Sequence, residues 1–243
     1  MEHTKKGQLP LNAVWLRLLA LACMLLDHLW ATVVPGNWWM TCVGRMAFPI
    51  FAFQVVEGYY HTSDLRRYMR RLLIFGLISE IPFNLMLGGF WLYPFHQNVM
   101  FTLLFGLLAV RSLENACQRP DTGGKLRSGL MLLVWLGLSA ITLVDYGIHG
   151  VLMVLLFAVS RRVPFAKLFQ LAGMVVINWF LMKGLQLQVW NWMLPVQGFA
   201  VLALVPIWLY NGEKGPRNQV IQYGSYLFYP AHMLILGLVG YYL

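Results

Sequence analysis

Apolar runs of about 20 residues, the length that carries a helix across bilayer hydrocarbon, recur along this whole chain. Inside lipid no water satisfies the backbone, so each run must close its hydrogen bonds within itself. The pattern predicts an all-α polytopic membrane protein with about nine transmembrane helices in one transmembrane domain spanning 1–243. The runs lie approximately at 13–34, 40–59, 67–88, 98–115, 128–144, 147–160, 164–183, 189–210 and 219–242. The sixth is short enough to be re-entrant. Turn formers separate them, among them Pro35-Gly36-Asn37, Gly88-Gly89 and Asn211-Gly212. Only 11% of the residues are charged, against roughly 25% in soluble domains, so no water-soluble core competes with this reading. Residues 1–12 read as a short basic cytoplasmic segment with Lys5 and Lys6. The first run continues to Val34 with no A-x-A-like cleavage site, as a retained span does and a signal h-region does not.

The net charge of +9 is distributed in alternate connectors. With the N-terminus inside, every Lys and Arg except Arg45 and Lys183 falls on the inner side or at its edge. That asymmetry predicts N-terminus in and C-terminus out. The same distribution leaves no soluble basic domain to grip a phosphate backbone, so nucleic acid is excluded as a partner and membrane lipid is expected.

Charges within the runs mark the working region, because an ionisable group at bilayer depth faces a protein interior or a wet cavity. They concentrate in GRMAFPIFAFQVVEGYYHTSDLRRYMRRLLIFGLISEIPFN, residues 44–84. Arg45 opens one apolar segment and Glu57 closes it, Arg66, Arg67, Arg70 and Arg71 follow in the turn, and Glu80 and Asn84 lie deep in the next segment. Just upstream are Asp27 and His28, which as neighbours point about 100° apart and must find different partners. Arg45 enters from the same side and is the natural partner of Asp27, which frees His28. His28 is then either an interhelical hydrogen-bonding group or a general base, for which an imidazole is suited. Arg17, eleven residues earlier on the same face and about 16 Å away, either lines a passage toward His28 or anchors the inner interface. Asn98 and Thr102 repeat the i, i+4 spacing of Glu80 and Asn84, and Asp145 and His149 flank an outer turn. Gln222, Ser225, Tyr229 and His232 make one polar stripe on the last helix. On depth, Asp27, His28, Arg45, Glu80, Asn98, Asp145 and His149 fall in the outer half, and Glu57 at the inner edge.

No H-E-x-x-H, P-loop, dinucleotide fingerprint or G-x-S-x-G occurs, and no metal is expected. Cys23, Cys42 and Cys117 lack metal or redox spacing and read as packing residues.

Six blocks in register carry a family resemblance: LLDHLW, GRMAFPIFAFQVVEGYYHT, YMRRLLIFGLISEIPFN, NVMFTLLFGLLAV, DYGIHGVLMVLL and YLFYPAHMLIL. Over nearly its whole length the chain resembles the TraX family of conjugal-transfer and fimbrial-assembly membrane proteins, best known for acetylating the pilin N-terminus. That family looks related to membrane acyltransferases that pass acyl groups from cytosolic acyl-CoA across the bilayer. The resemblance implies a membrane acyltransferase-like bundle that transfers acetyl from acetyl-CoA to an amine, such as a pilin N-terminus, or to a hydroxyl on the outer side. It implies His28 as base, with Asp27, Arg45, Glu80 and His232 in the catalytic set. Arg17, Arg66, Arg67, Arg70 and Arg71 would hold the CoA phosphates, and Glu57, Asn84, Asn98, Asp145 and His149 would give polar support. A transporter or flippase, and a non-catalytic pilus-assembly factor, remain the other two readings of the same residues.

Overall fold

A computed structural model describes residues 10–216 and 219–242, without the side chains of 219–223, 241 and 242. Lys5, Lys6, Arg217 and the side chain of Gln222 lie outside the described residues. The helices are α1 (Ala13–Thr32), α2 (Trp38–Gly44), α3 (Ala47–His61), α4 (Leu65–Gly88), α5 (Val99–Gln118), α6 (Thr122–Ile141) and α7 (Gly147–Ser160). Then come α8 (Ala166–Val175), prolonged by a π-turn at Val176–Leu181, and strands β1 (Gln186–Val189) and β2 (Trp192–Pro195). A 3-10 segment (Val196–Ala203), α9 (Leu204–Trp208) and α10 (Gln219–Tyr242) complete the chain.

Side-chain caps set several starts by satisfying amides that a first turn leaves free. Asn12 accepts from Val14 and Trp15, Asp64 from Arg67, Asn98 from Met100 and Asp121 from Gly124. Gly89 ends α4 at φ +68°, a left-handed cap that costs glycine no Cβ clash. Helix α3 packs with α1, α5 and α7, and α4 packs with α10. The core between them is fully apolar where Leu16, Ile50, Leu107, Val154 and Phe157 meet. Helix α6 is peripheral and exposes Leu126, Leu130 and Leu133, while α4 exposes Leu77, Ile78 and Ile81. Apolar faces of this kind are what lipid covers.

Among the described residues five helical stretches are long and apolar enough to cross a membrane: Ala13–Thr32, Trp38–His61, Leu65–Gly88, Val99–Gln118 and Thr122–Ile141. Four shorter apolar helices stand where the remaining spans were expected: Gly147–Ser160, Ala166–Leu181, Val196–Trp208 and Gly224–Gly240. Three boundaries differ from the sequence pattern. The fifth run, expected at 128–144, is helical over Thr122–Ile141. The second run breaks at Arg45-Met46, between α2 and α3. The eighth begins as a β-hairpin in which Gln186 pairs Pro195 and Val189 pairs Trp192, with Trp190 at φ +54° in the turn. Hydropathy alone cannot separate an apolar hairpin rich in Trp and Leu from the start of a helix. Cys23 and Cys42 are buried as expected of packing residues, whereas Cys117 is exposed, its sulfur accepting from Arg162.

Contacts sort the connectors into two ends. At one, Leu11 bridges to Tyr210, Lys214 reaches the His61 carbonyl, Arg161 pairs with Glu57, and Arg162 pairs with Glu114. At the other, Gln97 bridges to Val144 and His96 lies 3.7 Å from Asp145, whose carboxylate holds the His96 imidazole above its usual range.

Gly44 fixes how closely α2 approaches α1. A Cβ there would lie 2.5 Å from the Asp27 Cβ, and the contact includes Asp27 backbone. Gly44→Ala is expected to destabilise the fold by about 1–3 kcal/mol, as overpacking does. The measurement is the thermal midpoint of the detergent-solubilised protein; an unchanged midpoint would mean that α2 yields without cost.

Candidate functional site

Helix α1 carries the site on one stripe. Arg17, Leu21, Met24 and His28 follow a 4-3-4 spacing and share a face. Two cavities lie against that face. A cavity of about 630 Å³ extends from the basic end, where Arg17, His61, Arg71 and Lys214 line it, to Met24, Phe51, Val99 and Tyr229 at its depth. A second, of about 350 Å³, is lined by Asp27, His28, Arg45, Asp145, Tyr146 and Lys183 toward the opposite end. The same four residues, Met24, Phe51, Val99 and Tyr229, line both. One layer of side chains therefore separates a basic cavity from a mixed-charge one.

His28 is joined across the bundle to α10. Its Nδ1 lies 2.7 Å from Nε2 of His232, with ring planes 6° apart, and His232 is 5% exposed. His232 Nδ1 is 2.7 Å from the Phe228 carbonyl. A carbonyl only accepts, so His232 donates from Nδ1 and offers the lone pair of Nε2. In the neutral pair that lone pair takes the Nδ1–H of His28, which leaves His28 Nε2 with a lone pair of its own. The result is an imidazole fixed in tautomer and orientation at the wall of the second cavity, the arrangement a proton acceptor needs.

Beside it, Asp27 Oδ1 accepts from Thr41 Oγ1 at 2.7 Å and from Arg45 Nη2 at 3.0 Å. Arg45 Nη2 also donates to Thr41 Oγ1 at 3.0 Å, and Thr41 is fully buried. The break after α2 places the Arg45 guanidinium at this point while Gly44 keeps the two helices in contact. The pairing of Asp27 with Arg45 is the one expected from the sequence. The Arg45 guanidinium also faces the Tyr146 hydroxyl at the wall of the second cavity.

Other expected site residues are placed elsewhere. Glu80 does not meet the histidines; its Oε1 accepts from the Asn98 backbone amide at 2.8 Å and from the Asn98 side-chain amide. Asn98 also donates to the Gly76 carbonyl and caps α5, so its hydrogen bonds tie α4 to α5. Asn84 is buried with its Nδ2 unpartnered among the described residues, and neither it nor His149 lines either cavity. Asp145 lines the second cavity and holds the turn before α7 through the Tyr146 amide. Glu57 lines the basic cavity, paired with Arg161 and 3.7 Å from His61. Of the four arginines only Arg71 lines that cavity; Arg66, Arg67 and Arg70 are exposed. Arg71 stacks over Tyr68 and Tyr226, and its Nε is buried without a partner among the described residues, as a guanidinium waiting for an anion would be. Lys214 and the four shared residues were not nominated from sequence as site residues, although Tyr229 stood on the polar stripe. Among the described residues no three His, Cys, Asp or Glu side chains gather as a metal site requires.

Comparison with known proteins adds the following. The family described as TraX protein matches residues 13–240. The chain is 29% identical to the probable fimbrial assembly protein FimC, serogroup H1, of Dichelobacter nodosus, over 93% of this chain and 94% of the relative. It is 28% identical to Protein TraX of Escherichia coli over 60% of this chain and 54% of that protein. An uncharacterized protein of Rickettsia prowazekii is 23% identical over 60% of this chain. No solved structure matches it.

Proposed function

The chain belongs to the TraX family, and from that premise we propose that it is a membrane acyltransferase carrying acetyl from cytosolic acetyl-CoA to an acceptor on the outer side. In this reading the five long and four short apolar helices make nine crossings of the bacterial inner membrane, N-terminus in and C-terminus out. The basic end then faces the cytosol, as a positive-inside distribution requires. One observation carries the proposal: a basic cavity and a histidine-bearing cavity approach from opposite ends and share a single layer of side chains.

Arg17, Arg71 and Lys214 would hold the phosphates of CoA, and the pantetheine arm would follow the α1 stripe toward Met24. The acceptor enters the other cavity as an amine or hydroxyl; the family resemblance makes a pilin-like N-terminal amine the first candidate, and the Dichelobacter relative is named as a probable fimbrial assembly protein. The nucleophile attacks the thioester carbonyl and passes its proton to His28 Nε2. The tetrahedral intermediate's oxyanion is stabilised by Arg45, because charge that develops at fixed donors is stabilised most. Collapse breaks the C–S bond, and the proton on His28 goes to the leaving thiolate, so CoA departs as the thiol. His232 orients His28. Glu80 and Asn98 hold α4 on α5 and take no part in the chemistry.

Two stacked cavities also suit carriage of a substrate across the membrane, and binding separates the readings. Acetyl-CoA is expected to bind the solubilised protein saturably in calorimetry. Arg17→Ala is expected to weaken that binding about tenfold or more, the effect of losing one charge-assisted hydrogen bond. Arg66→Ala, off the cavity, serves as the control with unchanged affinity. No binding at millimolar acetyl-CoA to a folded protein would overturn the acyl-donor reading and leave the carriage one.

A further inference from the structure

We propose that Tyr146 is a catalytic residue of the transfer: its phenol donates a hydrogen bond to the acyl carbonyl oxygen as that oxygen takes on negative charge. The inference rests on the acyl-transfer reading and gives a role to a residue outside the histidine pair, the Asp27–Arg45 ion pair and the phosphate-binding cations.

The turn that carries Tyr146 is built rigidly. Tyr146 has φ +62° at the start of α7, a left-handed conformation uncommon for a residue with a bulky side chain. Backbone in such a region persists only where its surroundings hold it, and it clusters at working sites. The Asp145 amide donates to the Gln97 carbonyl at 2.8 Å, and the Asp145 carbonyl accepts from Thr102 Oγ1. The Tyr146 amide donates to Asp145 Oδ1 at 3.1 Å. The side chain is held as firmly. Its ring stacks on Phe48 with centroids 4.0 Å apart and planes 12° from parallel. Gly150 leaves the room, since a Cβ there would lie 2.9 Å from both the Phe48 ring and the Tyr146 Cβ.

This fixed ring stands at the wall of the second cavity with His28, and its hydroxyl faces the Arg45 guanidinium. Chemistry sets the direction of that contact. A guanidinium has only donors, so the phenol oxygen accepts from Arg45 and its own O–H is left to give to an oxygen in the cavity. Arg45 Nε and Nη2 are already bound to Thr41 and Asp27. The phenol therefore carries the influence of the guanidinium charge one group further. A cation on its oxygen makes it a stronger donor, and donors fixed before the reaction stabilise a developing oxyanion most. When the nucleophile attacks, the carbonyl π electrons move to oxygen and the hydrogen bond from Tyr146 tightens. When the C–S bond breaks, the C=O bond re-forms and the phenol keeps its proton. His28 alone carries the proton from the nucleophile to the leaving thiolate.

The carbonyl itself can be read. Infrared difference spectra of the full-length solubilised protein with acetyl-CoA, isotope-labelled at the thioester carbonyl, are expected to show that stretch at lower frequency than in free acetyl-CoA. Tyr146→Phe keeps the ring on Phe48 and is expected to return the stretch toward the free value. It is also expected to lower kcat by about 10²–10³-fold, the loss that follows removal of one oxyanion donor, with affinity for acetyl-CoA little changed. A ring-fluorinated tyrosine at 146, nearly isosteric and a stronger donor, is expected to lower the frequency further, and it decides the matter where Tyr146→Phe does not fold. A bound carbonyl whose stretch is the same in wild type and in the folded variant would overturn the proposal. Failure of wild type to bind acetyl-CoA in calorimetry would instead remove the acyl-donor reading on which Tyr146 stands.

Discussion

His28→Ala is expected to lower acyl transfer by about 10²–10⁴-fold, the contribution of a positioned general base. An acceptor amine, mostly protonated near neutral pH with a pKa of about 7.7–8.0, gives up a proton before or during attack. His28 is the imidazole with a lone pair at the wall of the second cavity, and its other nitrogen is committed to His232. The assay follows label from acetyl-CoA into a synthetic peptide with a free α-amine, in membranes carrying equal amounts of each variant. His28→Asn discriminates between roles. Asparagine preserves a donor toward His232 but has no basic nitrogen, so an active His28→Asn protein would reduce the histidine to an interhelical tie. His232→Gln is expected to retain more activity than either, because it loosens the orientation of the base and leaves the base itself.

Asp27→Ala is expected to cost stability more than any other single change at the site. It strands the Arg45 guanidinium and the buried Thr41 hydroxyl, both of which bond Asp27 Oδ1. Removing one member of a buried pair costs about 3–5 kcal/mol. The side chains here are 21% and 19% exposed, and the water that reaches them trims this to about 2–4 kcal/mol. For a chain of this size the thermal midpoint should fall by roughly 5–15 °C. The double variant Asp27→Leu with Arg45→Met should recover part of that loss, because it leaves no uncompensated charge. If the single variant melts with wild type, the pair is not structural and Asp27 must be assigned to the chemistry alone.

Much of this architecture is legible in the chain because lipid leaves so few choices. Most of the apolar runs are helices, although the caps Asp64 and Asp121 start two of them earlier than the runs at 67 and 128 suggest. The Asp27–Arg45 pair is legible as well, since two opposite charges at similar depth in adjacent runs have little else to meet. The four arginines show where reading stops short. Residues 66, 67, 70 and 71 spread over an arc of about 140° on one side of a helix at 100° per residue, and only packing reveals that Arg71 alone of them lines a cavity. Lys214 was hidden because a lysine in an inner connector is already explained by orientation. The His28–His232 contact joins residues 204 apart, and no periodicity records such a pairing. Glu80 shows a related limit: its half-buried carboxylate is bonded to Asn98, a partner that the spacing along the chain does not name. The hairpin at 186–195 lacks the Asn-Gly or Asp-Gly turn that advertises a two-residue loop, because Trp190-Asn191 occupies it.

The layer between the cavities has an electrical meaning. If water fills both chambers, the two baths approach within one thickness of side chains, and most of the membrane voltage drops across Met24, Phe51, Val99 and Tyr229. An elementary charge moved through 100 mV exchanges about 2.3 kcal/mol with that field. None of the four side chains carries a charge at neutral pH, so the seal stores no gating charge and gives ions no foothold. In the proposed transfer a neutral acyl group would cross it without electrical work, while the phosphates, which the field would drive, would stay at Arg17 and Arg71 on the near side. On that proposal the cell's potential would neither power nor oppose the transfer, and the insulation of the membrane would survive each turnover.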